Sequence, residues 1–243
     1  MIRLLRSLAF NVAFWLWAAV LHVLALPVYL LAPRSWLVRV GRVWLRGVHG
    51  LARVLVGLTY EVRGRENIPD GPCLIAAKHQ SAWEIFALLV ELDEPAFVLK
   101  RELMRIPLFG WYTRRFGAVP IDRGGGSAAL RAMVRDARAQ LDRGRAVVIF
   151  PEGTRMAPDA AGSYHPGVAA LYRELNVPVV PVALNSGVFW GRRKAVKHPG
   201  RITLAFLPPI QPGQNRKAFM KALAEALEPA TARLVQAARG ETT

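Results

Sequence analysis

A histidine and a carboxylate stand five positions apart, His79 and Glu84, in the segment Lys78-His79-Gln80-Ser81-Ala82-Trp83-Glu84, directly after an apolar run, Cys73-Leu74-Ile75-Ala76-Ala77. An imidazole takes a proton near neutral pH, and a carboxylate bonded to its other ring nitrogen fixes the tautomer and stabilises the imidazolium. Five is an awkward helical spacing, so the pair meets only if His79 stands at or before a helix start and the chain curls back. Three further segments carry residue types that packing does not call for. They are Gly117-Ala118-Val119-Pro120-Ile121-Asp122-Arg123, then Phe150-Pro151-Glu152-Gly153-Thr154-Arg155, then the run from Val177 to Gly187 with prolines at 178 and 181. Glycine lets a backbone approach a ligand closely, and arginine presents a fork matched to phosphate oxygens. Singly, the second and third segments read as strand-end turns and the fourth as an edge strand.

Such loops need a scaffold. Short β-rich runs at Tyr60–Arg63, Cys73–Ala77, Ala96–Leu99, Ala118–Ile121, Ala146–Phe150, Val179–Leu184 and Ile202–Phe206 alternate with helical patterns. Leu130, Met133, Val134, Ala137 and Leu141 form one apolar stripe at helical spacing, with Arg131, Arg135 and Arg138 on a solvated face. A second helix is expected from about Gly167 to Leu175, and a last one from about Arg216 to the chain end, broken near Pro229. Strand–helix alternation of this kind predicts an α/β sandwich with a largely central sheet, and the strand ends are where such folds place reactive groups.

Ahead of this body, Ser7–Ala32 holds no charged residue and follows Arg3 and Arg6. At about 1.5 Å rise per residue it is long enough to cross a hydrocarbon core of about 30 Å, although Asn11, His22 and Pro27 interrupt it. Arg39, Arg42, Arg46, His49 and Arg53 then recur at spacings of three and four, with Trp36, Val40, Val43, Trp44, Val48, Leu51 and Val54 elsewhere on the turn. A basic amphipathic helix with tryptophans is the pattern of a segment lying at an anionic lipid surface; a solvated face is the other reading. Residues 1–58 are therefore expected to be a membrane-associated helical segment and 59–243 the α/β domain, with the arginines placing the body on the cytoplasmic side.

The chain has 33 Lys and Arg against 17 Asp and Glu, a net charge of +16, with 53% hydrophobic and 21% charged residues. Positive mean hydropathy, +0.22, beside that charged fraction excludes a polytopic membrane protein and fits a globular body with an apolar appendage. An excess of +16 favours nucleic acid, anionic lipid or an anionic substrate. Basic residues in the body lack interleaved aromatics, which argues against nucleic acid. Cys73 is the single cysteine and reads as a buried structural thiol. No Cys/His cluster, acidic ligand loop or dinucleotide fingerprint occurs, so no metal or redox cofactor is expected.

In this order the four segments resemble the motif blocks of the glycerolipid acyltransferase family, in particular its bacterial 1-acylglycerol-3-phosphate acyltransferases. The family's first block is His-x4-Asp, and its third, Phe-Pro-Glu-Gly-Thr-Arg, is reproduced here without change. The likeness runs through Leu99-Lys100-Arg101-Glu102-Leu103 and Gly110-Trp111-Tyr112 and covers roughly residues 60–209. Glu84 departs from the family's aspartate by one methylene. The resemblance implies a central mixed sheet flanked by helices. It implies acyl transfer from acyl-CoA or acyl-acyl carrier protein to the sn-2 hydroxyl of a lysophospholipid, with His79 as base and Glu84 orienting it. Arg123, Glu152, Gly153, Thr154 and Arg155 match the acceptor site; Lys100 is either a further phosphate ligand or a solvated lysine. Backbone amides around Gly153 are candidate oxyanion donors. With no Gly-x-Ser-x-Gly elbow in the chain, Ser81 reads as a loop or capping residue. Met156–Pro166 reads as a mobile loop beside the site or a permissive surface loop. An inner-membrane location is expected. A lyso-ornithine lipid acceptor, a hydrolase and a non-catalytic membrane binder remain the alternatives.

Overall fold

Seven β-rich runs become seven strands of one sheet in the computed structural model, which describes residues 1–107, 109–160 and 162–240. They are β1 (Leu58–Arg63), β2 (Leu74–Ala77), β3 (Ala96–Lys100), β4 (Val119–Ile121), β5 (Val147–Ile149), β6 (Val179–Leu184) and β7 (Gly200–Phe206). Each coincides with an expected strand. The sheet order is β1-β7-β6-β2-β5-β3-β4, with every neighbouring pair parallel except β6 and β7. Five adjacent strands, β6, β2, β5, β3 and β4, thus deliver their carboxyl ends, and the four motif segments, to one edge.

The helices are α1 (Ile2–Leu24), α2 (Leu26–Leu31), α3 (Arg34–Leu51), α4 (Trp83–Glu91), α5 (Phe109–Arg115), α6 (Gly126–Leu141), α7 (Pro166–Leu175), α8 (Ser186–Phe189) and α9 (Arg216–Gly240). Alternate strand residues point to opposite faces. Ile75, Ala77, Val148, Val180 and Val182 pack with Phe10 of α1, Val48 of α3 and Trp83, Ala87 and Leu88 of α4. Leu74, Ala76, Val147 and Val179 pack with Met133 and Ala137 of α6, Leu171 and Tyr172 of α7, and Phe219, Leu223 and Leu227 of α9. Burial on both faces is why the central strands read as unbroken apolar runs.

Pro229 does not break the last helix, contrary to the expectation: α9 runs through it, with Leu227, Ala230 and Thr231 buried on either side. A proline removes one helical hydrogen bond, and packing of the flanking turns holds the helix across that loss. The expected extension to the chain end takes in positions 241–243, outside the described residues.

The apolar amino-terminal stretch is two helices. α1 ends at Ala25, and Pro27 sits in the first turn of α2, where a missing N–H costs least. α1 lies against the body along one side. Ser7 exchanges hydrogen bonds with the backbone of buried Lys197, Asn11 accepts from the Lys197 ammonium at 2.6 Å, and Trp17 donates to the Trp44 carbonyl at 3.0 Å. Gly47 of α3 permits that contact, since a Cβ there would lie 2.3 Å from the Trp17 indole nitrogen. The opposite side of α1, with Leu5, Leu8, Val12, Trp15, Leu16, Val20 and Val23, is exposed.

The expected single basic face on α3 is divided. Arg39, Arg46 and Arg53 are exposed, alternating with Trp36, Val43 and Val54. Arg42 turns to Asp93 at 2.6 Å, and His49 packs inward against the rings of Tyr60 and Trp83. Periodicity sets the angle between side chains but not which sector the body covers.

Burial pushes the His49 imidazole down from 6.5 to about 4. The folded chain therefore holds a proton there less readily than the unfolded chain. Stability from the neutral ring is complete above about pH 6.5 and is lost as pH falls toward about 4, a total of about 3 kcal/mol. Thermal unfolding midpoints across this range should fall less steeply for His49→Phe, which keeps a ring but cannot titrate. Parallel profiles for the two proteins would contradict the assignment.

Candidate active site

The His79–Glu84 spacing is resolved by where α4 begins. Its first residue is Trp83, so Glu84 lies in the first turn and its side chain reaches back over the loop from β2. Glu84 Oε1 accepts hydrogen bonds from the backbone N–H groups of Gln80 and Ser81, at 2.8 and 2.7 Å, and lies 2.8 Å from His79 Nδ1. Ser186, at the start of α8 after β6, donates its hydroxyl to Oε2 at 2.8 Å. Glu84 is 0% exposed. A carboxylate facing this set of donors acts as an acceptor only, which puts the imidazole proton on Nδ1 and leaves Nε2 as the basic nitrogen. With glutamate at this position the pair meets. Ser81 lies in the loop before α4, whose N-cap is Ala82, and accepts from the Trp83 N–H at 3.0 Å.

The ring of His79 is fixed from a second side by Phe150, stacked at 4.0 Å between centroids with 16° between planes. Beneath them lies a cluster of charges. Lys78, 1% exposed, is ion-paired with Glu152 and bonded at 2.9 Å to Glu228 of α9. Glu228 also accepts from the Tyr164 hydroxyl at 2.5 Å, and Glu152 Oε2 accepts the backbone N–H of His79 at 2.8 Å. Burial raises the Glu152 pKa, and the Lys78 ammonium opposes that rise. Glu152 therefore faces Lys78 and the His79 backbone, and holds the loop that carries His79.

The turn after β5 wraps around this centre. Gly153 adopts φ +64°, and a Cβ there would lie 2.7 Å from the His165 ring and 3.0 Å from Arg123. Arg123, at the end of β4, donates to the Gly153 carbonyl, and Met156 N–H donates to the His79 carbonyl at 2.7 Å. The Gly153 N–H itself donates to the Phe150 carbonyl at 2.9 Å, so this amide, one of the expected oxyanion donors, is already engaged. Segment 156–166 lies beside the site, tied by Tyr164 to Glu228 and by Asp159 to Arg239; position 161 is outside the described residues.

A cavity of about 1130 Å³ opens at His79, beyond the roughly 300–1,000 Å³ of ordinary small-molecule pockets. Its rim carries Lys100, Arg123, Thr154, Arg155, Arg192 and Arg193. Most of the remaining lining is apolar, including the part-buried or buried Trp44, Leu45, Phe86, Leu89, Phe97 and Phe116. The expected site residues His79, Lys100, Arg123, Gly153, Thr154 and Arg155 share this cavity, while Glu84 and Glu152 stand behind them. Reasoning from sequence missed Lys78 and Ser186 as partners, though both lie in the quoted segments, and it missed Glu228 and Tyr164. Glu228 is 150 positions from Lys78 with nothing local to mark it.

Removing one hydrogen bond to a buried charged group costs about 1.5–3 kcal/mol, and each 1.4 kcal/mol is a factor of about ten in rate. Ser186→Ala should therefore lower kcat about tenfold or more with KM within about twofold, and Ser186→Thr, which keeps the hydroxyl, should restore most of the rate. Steady-state kinetics decide it: an unchanged kcat in the alanine variant would remove Ser186 from the support of Glu84.

The family model described as Acyltransferase matches residues 59–185. A 1-acyl-sn-glycerol-3-phosphate acyltransferase of Pseudomonas aeruginosa is 41% identical over 165 residues, which cover 68% of this chain and 64% of that protein. A lyso-ornithine lipid O-acyltransferase of the same organism is 35% identical over 161 residues, 63% of this chain and 61% of that protein. The chain thus matches a little under two thirds of the length of these curated relatives. The crystal structure of the 1-acyl-sn-glycerophosphate (LPA) acyltransferase from Thermotoga maritima shares the fold, with a TM-score of 0.74 at 24% identity over 96% of this chain and 98% of that one. The matched region carries His79, Glu84, Arg123 and the Glu152–Arg155 turn, and the chain belongs to the acyltransferase family.

Proposed function

We propose that the chain transfers a fatty acyl group from a thioester donor, acyl-CoA or acyl-acyl carrier protein, to the sn-2 hydroxyl of 1-acyl-glycerol-3-phosphate, giving phosphatidate. One observation carries the reading: the side of His79 away from Glu84 stands where an apolar cavity large enough for acyl chains meets a rim of cations that, among the described residues, have no carboxylate partner. An acyl glycerol phosphate has this polarity, apolar at one end and dianionic at the other, with its hydroxyl between them.

In this mechanism His79 Nε2 takes the proton of the acceptor hydroxyl as its oxygen attacks the thioester carbonyl. Glu84 stabilises the imidazolium through Nδ1. Collapse of the tetrahedral intermediate expels the thiolate, which recovers the proton from Nε2. No acyl-enzyme forms, and no metal or redox cofactor takes part. Arg123 and Arg155, with Lys100, hold the acceptor phosphate, and Gly153 and Thr154 shape the turn that presents it. Glu152 contributes by holding the His79 backbone.

Substrate and product are lipids, so the protein is placed on a bilayer, at the cytoplasmic face of the inner membrane. The exposed apolar side of α1 supports the contact with a bilayer, together with the Trp36, Arg39, Val43 and Arg46 face of α3. An apolar surface of this extent marks a membrane or partner contact. Because the other side of α1 is bonded to the body through Ser7, Asn11 and Trp17, insertion of one face into a single leaflet fits better than a free span.

The likeness to the lyso-ornithine lipid enzyme keeps that lipid as a second acceptor. The test is product formation from labelled acyl thioester and each lysolipid. Wild type should convert lysophosphatidate, His79→Ala should lose about 10²–10⁴-fold in kcat, and Arg123→Ala should raise KM for lysophosphatidate. Conversion of lyso-ornithine lipid alone would move the assignment to the second acceptor. Free fatty acid without acylated product would make the protein a hydrolase. No product from either acceptor would overturn the proposal.

A further inference from the structure

We infer that Arg192 and Arg193 form a subsite for the phosphate of the donor's phosphopantetheine arm, an inference that rests on the thioester-donor reading above. Charge counting raises the question. Lys100, Arg123, Arg155, Arg192 and Arg193 all line the cavity, and among the described residues none is ion-paired to a carboxylate. Arg34, Arg42, Arg63, Arg65, Arg101 and Arg145, by contrast, each have an acidic partner. A phosphomonoester carries about −1.5 to −2 at pH 7, so five cations at one mouth exceed what a single acceptor phosphate balances.

Two of the five are bonded to carbonyls of the same turn. Arg123 is bonded to the Gly153 carbonyl, beside the His165 ring. Arg192 donates through Nη1 to the Arg155 carbonyl at 3.0 Å, two positions further along, and the next residue, Met156, bonds the His79 carbonyl. Arg192 and Arg193 are both exposed, and they come from the segment after α8, whose first residue, Ser186, supports Glu84. Arg193 sits at φ +57°, a conformation that favours glycine, yet the position carries a cation. No acidic residue occurs between Glu174 and Glu225 to neutralise this stretch.

Chemistry distinguishes which phosphate goes where. In the acceptor only one methylene separates the hydroxyl-bearing carbon from the phosphate ester, so that phosphate binds close to His79, at Arg123. In the donor the whole pantetheine arm separates the thioester from its nearest phosphate. With the acyl tail directed into the apolar interior, the arm leads outward, and its phosphate arrives at the exposed rim. CoA and acyl carrier protein present the same phosphate at that point, and a guanidinium pair offers it charge-assisted, forked hydrogen bonds.

The test compares S-lauroyl-pantetheine with S-lauroyl-4′-phosphopantetheine, lauroyl-CoA and lauroyl-acyl carrier protein, using the full chain and lysophosphatidate. Wild type should favour the phosphorylated donors. The double variant Arg192→Ala/Arg193→Ala should show KM raised about tenfold or more for all three phosphorylated donors. It should match wild type on the pantetheine thioester, with KM for lysophosphatidate within about twofold of wild type. Retention of the phosphate preference by the variant would overturn the inference. So would a raised KM for lysophosphatidate, which would return the arginines to the acceptor, or a defect confined to acyl carrier protein, which would place them on that protein's surface. Weaker vesicle binding with unchanged donor KM would assign them to lipid headgroups. If wild type transfers from no thioester, the donor reading itself falls, and this inference with it.

Discussion

A carboxylate removed from water must find its donors nearby, and Glu84 is held by a backbone loop, a hydroxyl from another strand end and the imidazole it orients. Burying an unpaired charge costs several kcal/mol, so each of these contacts is required to keep the others in place. The loop from β2 must curl for its amides to converge on Oε1. β6 must lie beside β2 for Ser186 to reach Oε2. The parallel register that brings these strand ends to one edge is therefore part of the geometry around His79 and Glu84, at the edge where open parallel α/β sheets bind their ligands.

A second buried charge cluster lies on the other side of the same loop. Lys78 points away from the cavity, to Glu152 and Glu228, while His79 next to it points in. Adjacent residues leaving a strand end on opposite faces give one side chain to chemistry and the other to anchoring. The anchor ties α9 and the Tyr164 segment to the loop of His79, so an element from the far end of the chain supports this loop across the 150 positions from Lys78 to Glu228. The amino-terminal helices act at larger scale: α2 and α3 wall the cavity, and α1 keeps one apolar side outward. The surface suited to lipid and the chamber suited to acyl chains are consequently built from the same helices.

Much of this was legible in the residues alone. The central strands β2, β5 and β6 were visible because strands buried on both faces leave runs of Val, Ile, Leu and Ala. His79, Arg123 and the Phe150–Arg155 segment stood out because reactive types at strand ends are poorly explained by packing. What escaped depends on contacts remote in sequence. Nothing around Glu228 distinguishes it from any helical glutamate, and Ser186 looked like one more turn residue. His49 shared the spacing of the arginines around it, but only the position of Tyr60 and Trp83 turned it inward. Pro229 shows the reverse, a strong local signal overruled by packing on both sides.

The central claim is that His79 works as a base because the Glu84 carboxylate fixes and charges it. Glu84→Gln removes the charge and keeps the shape, so the most direct measurement is single-turnover acyl transfer by this variant on defined lysophosphatidate and acyl thioester. The account predicts that substrate binding persists while the transfer rate falls at least about a hundredfold. A rate within about twofold of wild type would contradict it.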